Sequence, residues 1–376
     1  MAEPQRSGAI PWCRGASISG VDVQPLSVPL REPFVIATGR VDVTPAALVR
    51  VTLDDGAGKI AVGLGESAAL PPVTREDQPA LLSALSRAAP ELRGVRVPAL
   101  SDLAGLLQRA LPESAVARAG LEAAVLDAGA RLAGQPLWRL LGGAAAPELT
   151  TDITLSISDP DRMATAAIGH RRAGFACFKV KVGRDWRADL ASLRAVAGAV
   201  PDARFRLDAN AGFTAHEALA LLDAALGEGF AIECYEQPCA AADLAGMAEV
   251  AAHAVVPVVA DESFRGPGDL DRLVAARAAH GVNLKLGKLG GPLAALALGR
   301  RARAAGLRLM AGAMVETRVG LLAMAHVVTA LGGVEWVDLD TAFLLAEDPF
   351  EGGWTVDGAR IRLSDAPGLG VTLARS

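Results

Sequence analysis

FACFKVKVG (residues 175–183) places two lysines, Lys179 and Lys181, in a run otherwise made of apolar and small residues. Residues two apart on a β-strand share a face. Phe178, Val180 and Val182 then pack beneath a helix, while both ammonium groups point the other way. An exposed edge strand also carries lysines, but it does not need three apolar residues on its second face. The stretch therefore reads as one wall of a closed sheet with a polar interior.

The chain on either side supplies the rest of that sheet. From Thr150 onward, β-rich runs alternate with Ala-, Leu- and Arg-rich segments: ITLSI (153–157), FKVKV (178–182), RFRLD (204–208), AIECYE (231–236), PVVAD (257–261), VNLKL (282–286), LRLMAG (307–312) and WVDLD (336–340). Amphipathic stretches such as 186–200 and 215–229 separate them. Regular βα alternation over eight strands predicts an α/β fold with a closed parallel barrel. Residues 43–66 read instead as a meander turning at Asp55-Gly56, followed by helical periodicity over 76–110 and 114–141. After strand eight no helix returns, and 352–371 has turn and strand character. The expected organisation is a tail over 1–16, an α+β capping domain over 17–145, a barrel over 146–345, and a return to the cap over 346–376.

Composition narrows the function. The chain has 376 residues, 51% of them hydrophobic, and a net charge of −5. No basic tract points to nucleic acid or to an anionic membrane. The longest notable uncharged run, 319–334, is too short and glycine-broken to span a bilayer. The opening residues lack the pattern of a signal peptide. Cys13, Cys177, Cys234 and Cys239 form no CxxC pair and have no histidine cluster beside them, so neither zinc nor a disulfide framework is indicated. Cys177 and Cys234 read as small buried hydrophobes. The expectation is a cytoplasmic protein.

Asp208, Glu236 and Asp261 each end a strand, in RLDAN, YEQP and ADES, 28 and then 25 residues apart. Barrel active sites form at the C-terminal strand ends, so three adjacent strands bring three carboxylates together. Any one of these acids could simply cap the next helix. Three at the same depth would repel one another, and a hard cation with oxygen ligands, Mg²⁺, one per site, relieves that.

Lys179 and Lys181 lie one strand before this trio, and Lys285, in VNLKLGK, one strand after it. A lysine crowded by a second ammonium and a dication is expected to have a depressed pKa and to serve as a base. Lys181 is the better placed for proton transfer, with Lys179 crowding and orienting it. Lys288 reads as a solvated residue of a loop or helix start. A base on each side of one carbon suits 1,1-proton transfer, with Mg²⁺ stabilising an enediolate made from the substrate carboxylate.

These motifs resemble the enolase superfamily. KVKVG resembles the paired-lysine signature of its muconate-lactonizing-enzyme subgroup, RLDAN, EQP and ADES its three metal ligands, and NLKLGK its opposite lysine. PLWRLLGG and the GGW…PGLGV tail resemble capping-domain elements. The resemblance implies a modified (β/α)7β TIM-type barrel with an α+β cap. Strand eight, VDLDTAFLL, resembles dipeptide epimerases such as the L-Ala-D/L-Glu epimerases, in which an Asp-x-Asp pair holds the substrate ammonium; here that pair is Asp338 and Asp340. TTDIT (150–154) and GAMVET (312–317), the latter containing Met314, look similar to epimerase segments too. The implied substrate is a dipeptide, inverted at the α-carbon of its C-terminal residue.

In the relatives acting on Ala-Glu, a loop arginine grips the glutamyl carboxylate. Here Gly39 takes its place with Arg40 beside it, while Phe34, Ile36 and LPPVT (70–74) suggest an apolar pocket. The lean is towards an apolar C-terminal residue. Alternatives are an o-succinylbenzoate synthase or N-succinylamino acid racemase, more distantly a muconate cycloisomerase, or a binding protein that has kept the barrel without catalysis. Family members are often oligomers.

Overall fold

The computed structural model describes residues 13, 15–37 and 39–374. Most of the expected tail over 1–16 lies outside the described residues. Its end does not hang free: Ala16 is buried, and the Gly15 amide donates to the Val97 carbonyl.

Eight parallel strands form one continuous sheet in sequence order: Ile153–Leu155, Cys177–Lys181, Arg204–Asp208, Ala231–Glu236, Val258–Ala260, Gly281–Leu284, Arg308–Ala311 and Trp336–Val337. The sheet curls until its ends meet. Thr151 bridges Val337, and the Thr151 hydroxyl accepts from the Leu339 amide at 2.9 Å. A helix follows each of the first seven strands, with a further short helix, Leu286–Leu289, directly after the sixth. The eighth strand is followed only by a short 3₁₀ turn, Thr341–Leu344. This is the (β/α)7β pattern expected from the sequence, and the alternation explains it. Phe178, Val180 and Val182 are fully buried on the helix side, and the residues between them face the barrel axis. A small apolar cluster of Cys234, Val259, Met310 and Trp336 fills the barrel interior. Cys234, Val259 and Trp336 stand two positions before Glu236, Asp261 and Asp338, so one step of strand pleat separates core from site. All four cysteines are free.

The cap is a three-stranded antiparallel sheet of Ser17–Leu26, Ala46–Asp54 and Ile60–Ala68, with a hairpin, Pro29–Ile36 and Gly39–Val43, reaching over the barrel mouth. Helix Ala115–Leu132 packs between this sheet and the barrel. It is buried around nearly its whole circumference, which is why it lacks a clear polar face. Its Asp127 accepts from the Leu64 and Leu369 amides at 2.8 and 2.7 Å, tying cap sheet and C-terminal segment to one carboxylate. That segment returns as short strands, and Arg360–Leu363 pairs with Leu149–Thr150.

Several contacts join cap and barrel near the mouth, two of them through charged side chains of opposite sign. Glu66 caps helix Arg318–Leu331 from across the interface, accepting from the Thr317 and Gly320 amides and, at 2.5 Å, from the Thr317 hydroxyl. Arg184 donates to the Ile36 carbonyl, which fastens the hairpin to the loop after strand two. Among the described residues, no helix is long and apolar enough to cross a membrane.

Candidate active site

The strand register puts the expected residues at one level of the barrel. Lys181 pairs with Asp208, and Asp208 with Glu236. The turn out of the lysine strand requires glycine at 183. Its φ is +108°, and a Cβ there would sit 2.3 Å from the Ala209 carbonyl oxygen. Asn210 and Gln237 take positive φ directly after the strands that carry Asp208 and Glu236, a strained geometry common beside functional groups. Gln237 fixes the next carboxylate-bearing strand: its Oε1 accepts from the Asp261 and Ser263 amides at 2.8 and 3.1 Å.

Four lysines meet the three carboxylates. Lys179 Nζ lies 3.0 Å from Asp208 and 2.7 Å from Glu236, so one ammonium bridges two acids. Lys181 donates to the same Asp208 oxygen at 2.6 Å. Across the mouth, Lys285 donates to Asp261 at 2.9 Å. Lys288, expected to be solvated, is buried. The short helix Leu286–Leu289 turns it inward, where it donates to the Asp261 side chain and, at 2.6 Å, to the Asp261 carbonyl. Gly312 leaves room for Lys285, since a Cβ there would lie 3.2 Å from Lys285 Cε and 2.9 Å from the Asn283 amide. Asn283 in turn donates to Glu236 at 2.7 Å.

A second set of acids lies on the adjoining strands. Ligand oxygens of Asp152, Asp338 and Asp340 come within 4.8 Å of one another, close enough to hold a cation among them. This set already carries protein cations. Arg206 pairs with Asp152 at 2.9 Å, and Lys179 donates to Asp338 at 2.7 Å. Asp340 accepts from the Thr154 amide at 2.6 Å with one oxygen, while its other is buried without a partner.

Burial and neighbours set the charge states. Burial alone would weaken the Lys179 ammonium, but Asp338, Glu236 and Asp208 outweigh it, so its pKa is raised well above the ordinary lysine value. Lys285 is also raised, with Asp261 the main partner overcoming burial. The depressed value is expected of a lysine beside a dication; with carboxylates as their partners, Lys179 and Lys285 are raised, and spacing along the chain did not place Asp338 on Lys179 or Asp261 on Lys285. Burial disfavours ionised Asp208 and Asp261 too, yet the lysines prevail and hold both below the usual carboxylate range. Asp340 goes the other way. Burial, then the neighbouring Asp338, pushes it up to about 6.

One pocket gathers these groups. Lys179, Lys181 and Lys285 line it beside Asp338 and Asp340, under a roof that includes Phe34, Ile36, Leu70, Val73 and Met314. Its volume is about 20 Å³, space for about one water. Arg40 is not brought there. Directly opposed residues of a hairpin share a face, and Arg40 opposes Val35 rather than Phe34 or Ile36. Its guanidinium bonds Asp42 at 2.9 Å on the exposed side. Sequence reasoning also passed over Arg206 and Asp152. Arg206 stands two residues before Asp208, so strand alternation alone turns it inward.

The chain was then compared with known proteins. Residues 18–142 match the family model "Mandelate racemase / muconate lactonizing enzyme, N-terminal domain", and 162–376 match "Enolase C-terminal domain-like". An aromatic dipeptide epimerase of Herpetosiphon aurantiacus is 38% identical over 95% of this chain and 99% of its own. The substrate-liganded L-Ala-D/L-Glu epimerase of Bacillus subtilis superposes with a TM-score of 0.90 at 32% identity, over 96% of this chain and 100% of its own. A dipeptide epimerase of Enterococcus faecalis, complexed with Mg and L-Leu-L-Tyr, gives 0.87 at 30% identity, over 95% and 99%.

Proposed function

Because this chain belongs to the mandelate racemase / muconate lactonizing enzyme family of the enolase superfamily, we propose that it epimerises dipeptides at the α-carbon of the C-terminal residue. The observation that carries this reading is the facing arrangement in one pocket, with Lys179 and Lys181 on one wall, Lys285 on the other, and Asp338 and Asp340 at the side. One lysine, unprotonated, takes the α-proton from one face. The ammonium opposite returns a proton to the other face, and the two lysines exchange charge states. The reaction is therefore reversible and needs no redox partner. Lys181 and Lys285 are assigned these roles, with Lys179 positioning Asp208 and Asp338.

Asp208, Glu236 and Asp261 fit a hard cation. All three are buried and present oxygen only, and buried acceptors beside them, Asn210 Oδ1 and Glu262 Oε2, have no hydrogen-bond partner. They are assigned to Mg²⁺, which when bound supplies Lewis-acid polarisation of the substrate carboxylate. Asp152, Asp338 and Asp340 are assigned differently. Arg206 and Lys179 already offset two of their charges, leaving one partnerless Asp340 oxygen to accept an ammonium. Two carboxylates there favour a free N-terminus and repel a succinyl group. Phe34, Ile36, Leu70 and Val73 in the roof favour an apolar C-terminal residue.

The test is incubation with Mg²⁺ and pooled L,L-dipeptides in D₂O, following deuterium at each α-carbon by mass spectrometry. The expected result is label at the C-terminal residue only, together with the D-epimer. An absence of label in every dipeptide, with Mg²⁺ bound, would overturn the reading and favour N-succinylamino acids.

A further inference from the structure

A second cavity of about 560 Å³ adjoins the reaction pocket, and Phe34 and Thr154 line both. The wall between them is the ammonium site itself. Thr154 donates its amide to Asp340, and the turn Thr341–Leu344 that follows Asp340 places Phe343 in the cavity wall. Opposite it stands helix Pro160–Arg172, with Met163 and Ala166. Arg31, Arg40 and Arg162 line the cavity against one carboxylate, Glu32.

We infer that this cavity receives the side chain of the substrate's N-terminal residue and selects a large apolar one over glycine and over lysine or arginine. The inference rests on the dipeptide reading above. With the ammonium at Asp338 and Asp340 and the C-terminal residue between the lysines, the first α-carbon stands at the boundary of the two spaces. Its side chain starts one bond from that carbon. The cavity, which shares Phe34 and Thr154 with the reaction pocket, is the adjoining space of side-chain size. A preformed space of this size holds an aromatic ring, and burying one against Met163 and Phe343 favours binding. Arg40 is paired with Asp42, but Arg31 and Arg162 still outnumber the lining carboxylate Glu32 and oppose a second cation.

The test is kcat/KM for Gly-, Leu-, Phe- and Lys-Xaa dipeptides, Xaa being the C-terminal residue that exchanges fastest in the pooled assay. Phe-Xaa and Leu-Xaa should exceed Gly-Xaa and Lys-Xaa by at least about tenfold, the scale on which apolar pockets discriminate. Ala166→Trp, which fills the cavity from the helix, should cut the Phe-to-Gly ratio about tenfold. Equal turnover of Gly-Xaa and Phe-Xaa, or an unchanged ratio in A166W, would overturn this inference while leaving the epimerase reading in place. No exchange with any dipeptide would overturn both. The substrate series on the parent protein decides the matter even if the tryptophan variant does not fold.

Discussion

Two sets of three carboxylates open onto the same barrel mouth, and the protein neutralises them unequally. Asp208, Glu236 and Asp261 face four lysines. Asp152, Asp338 and Asp340 face one arginine and share one of those lysines. The charge states follow each acid's own partners: despite burial, lysines hold Asp208 and Asp261, and Asp338 in the second set, below the usual carboxylate range, whereas burial raises Glu236, Asp152 and Asp340, the last to about 6. All six are buried, so the partners decide. On the proposed reading, the lysine-paired Asp208 and Asp261 exchange those lysines for a dication, while Asp340 keeps room for one more positive charge, of the size an ammonium brings.

The largest effect expected from this difference is in the first set. Asp261→Asn leaves both Lys285 and Lys288 without their carboxylate in a buried site, and breaking such pairs costs about 3–5 kcal/mol. Mg²⁺ affinity should fall by at least about 100-fold, since even disturbing a ligand's hydrogen-bond partner costs 10–100-fold. Calorimetric Mg²⁺ titration together with the D₂O exchange rate measures both. Retention of Mg²⁺ binding in D261N, with its loss in Asp340→Asn, would break the comparison by moving the cation to the second set.

Asp340→Asn should be milder and of another kind. The asparagine carbonyl can still accept from the Thr154 amide, so the turn keeps its shape, but the charge offered to the ammonium is gone. A hydrogen bond to a charged group is worth about 1.5–3 kcal/mol, so kcat/KM for dipeptides should drop roughly 10–150-fold with Mg²⁺ affinity unchanged. The parent should show the same loss as a pH effect. As pH falls through about 6 the Asp340 carboxyl gains its proton, and KM rises; in D340N that limb should be flat. A KM that still rises through pH 6 in the variant would assign the limb to another group.

The fold and half of this comparison were legible in the sequence. Period-two alternation in FKVKV, RFRLD and WVDLD fixes which side chains face the barrel axis, so the inward placement of Lys179, Lys181, Asp208, Asp338 and Asp340 follows from residue order alone. The partners across the barrel do not follow from it. Lys179 and Asp338 are 159 positions apart and meet only because the eighth strand closes against the segment preceding the first. That closure adds Asp338 to the carboxylates that raise the Lys179 pKa. Lys288 was lost to a different cause: a four-residue helix redirects it, and so short an element has no periodicity to read. Arg40 was misplaced because hairpin register, set by the turn, decides its face.

The smallest effect on catalysis is expected at a carboxylate outside both sets, where the change is in stability. Glu122, on helix Ala115–Leu132, is buried and accepts from the Leu293 amide at 2.7 Å, with only Arg118 near enough to offset its charge. Burial raises its pKa from 4.5 to about 7 despite both partners. Between those values the folded chain keeps a proton that the unfolded chain has lost. Its contribution to stability is thus full below pH 4.5, declines as pH rises towards 7, and is flat above. At about 1.4 kcal/mol per pKa unit the decline is on the order of 3–4 kcal/mol. Glu122→Gln keeps an acceptor for Leu293 and titrates nothing, so the difference in urea unfolding free energy between variant and parent should grow from pH 4.5 to 7 and then hold constant. That result would isolate what burial does to an acid with little cationic compensation, the condition Asp340 approaches and Asp208 escapes. A difference independent of pH would mean that Arg118 compensates Glu122 as fully as the lysines compensate Asp208, and the contrast between the two sets would then need a cause other than the number of their cations.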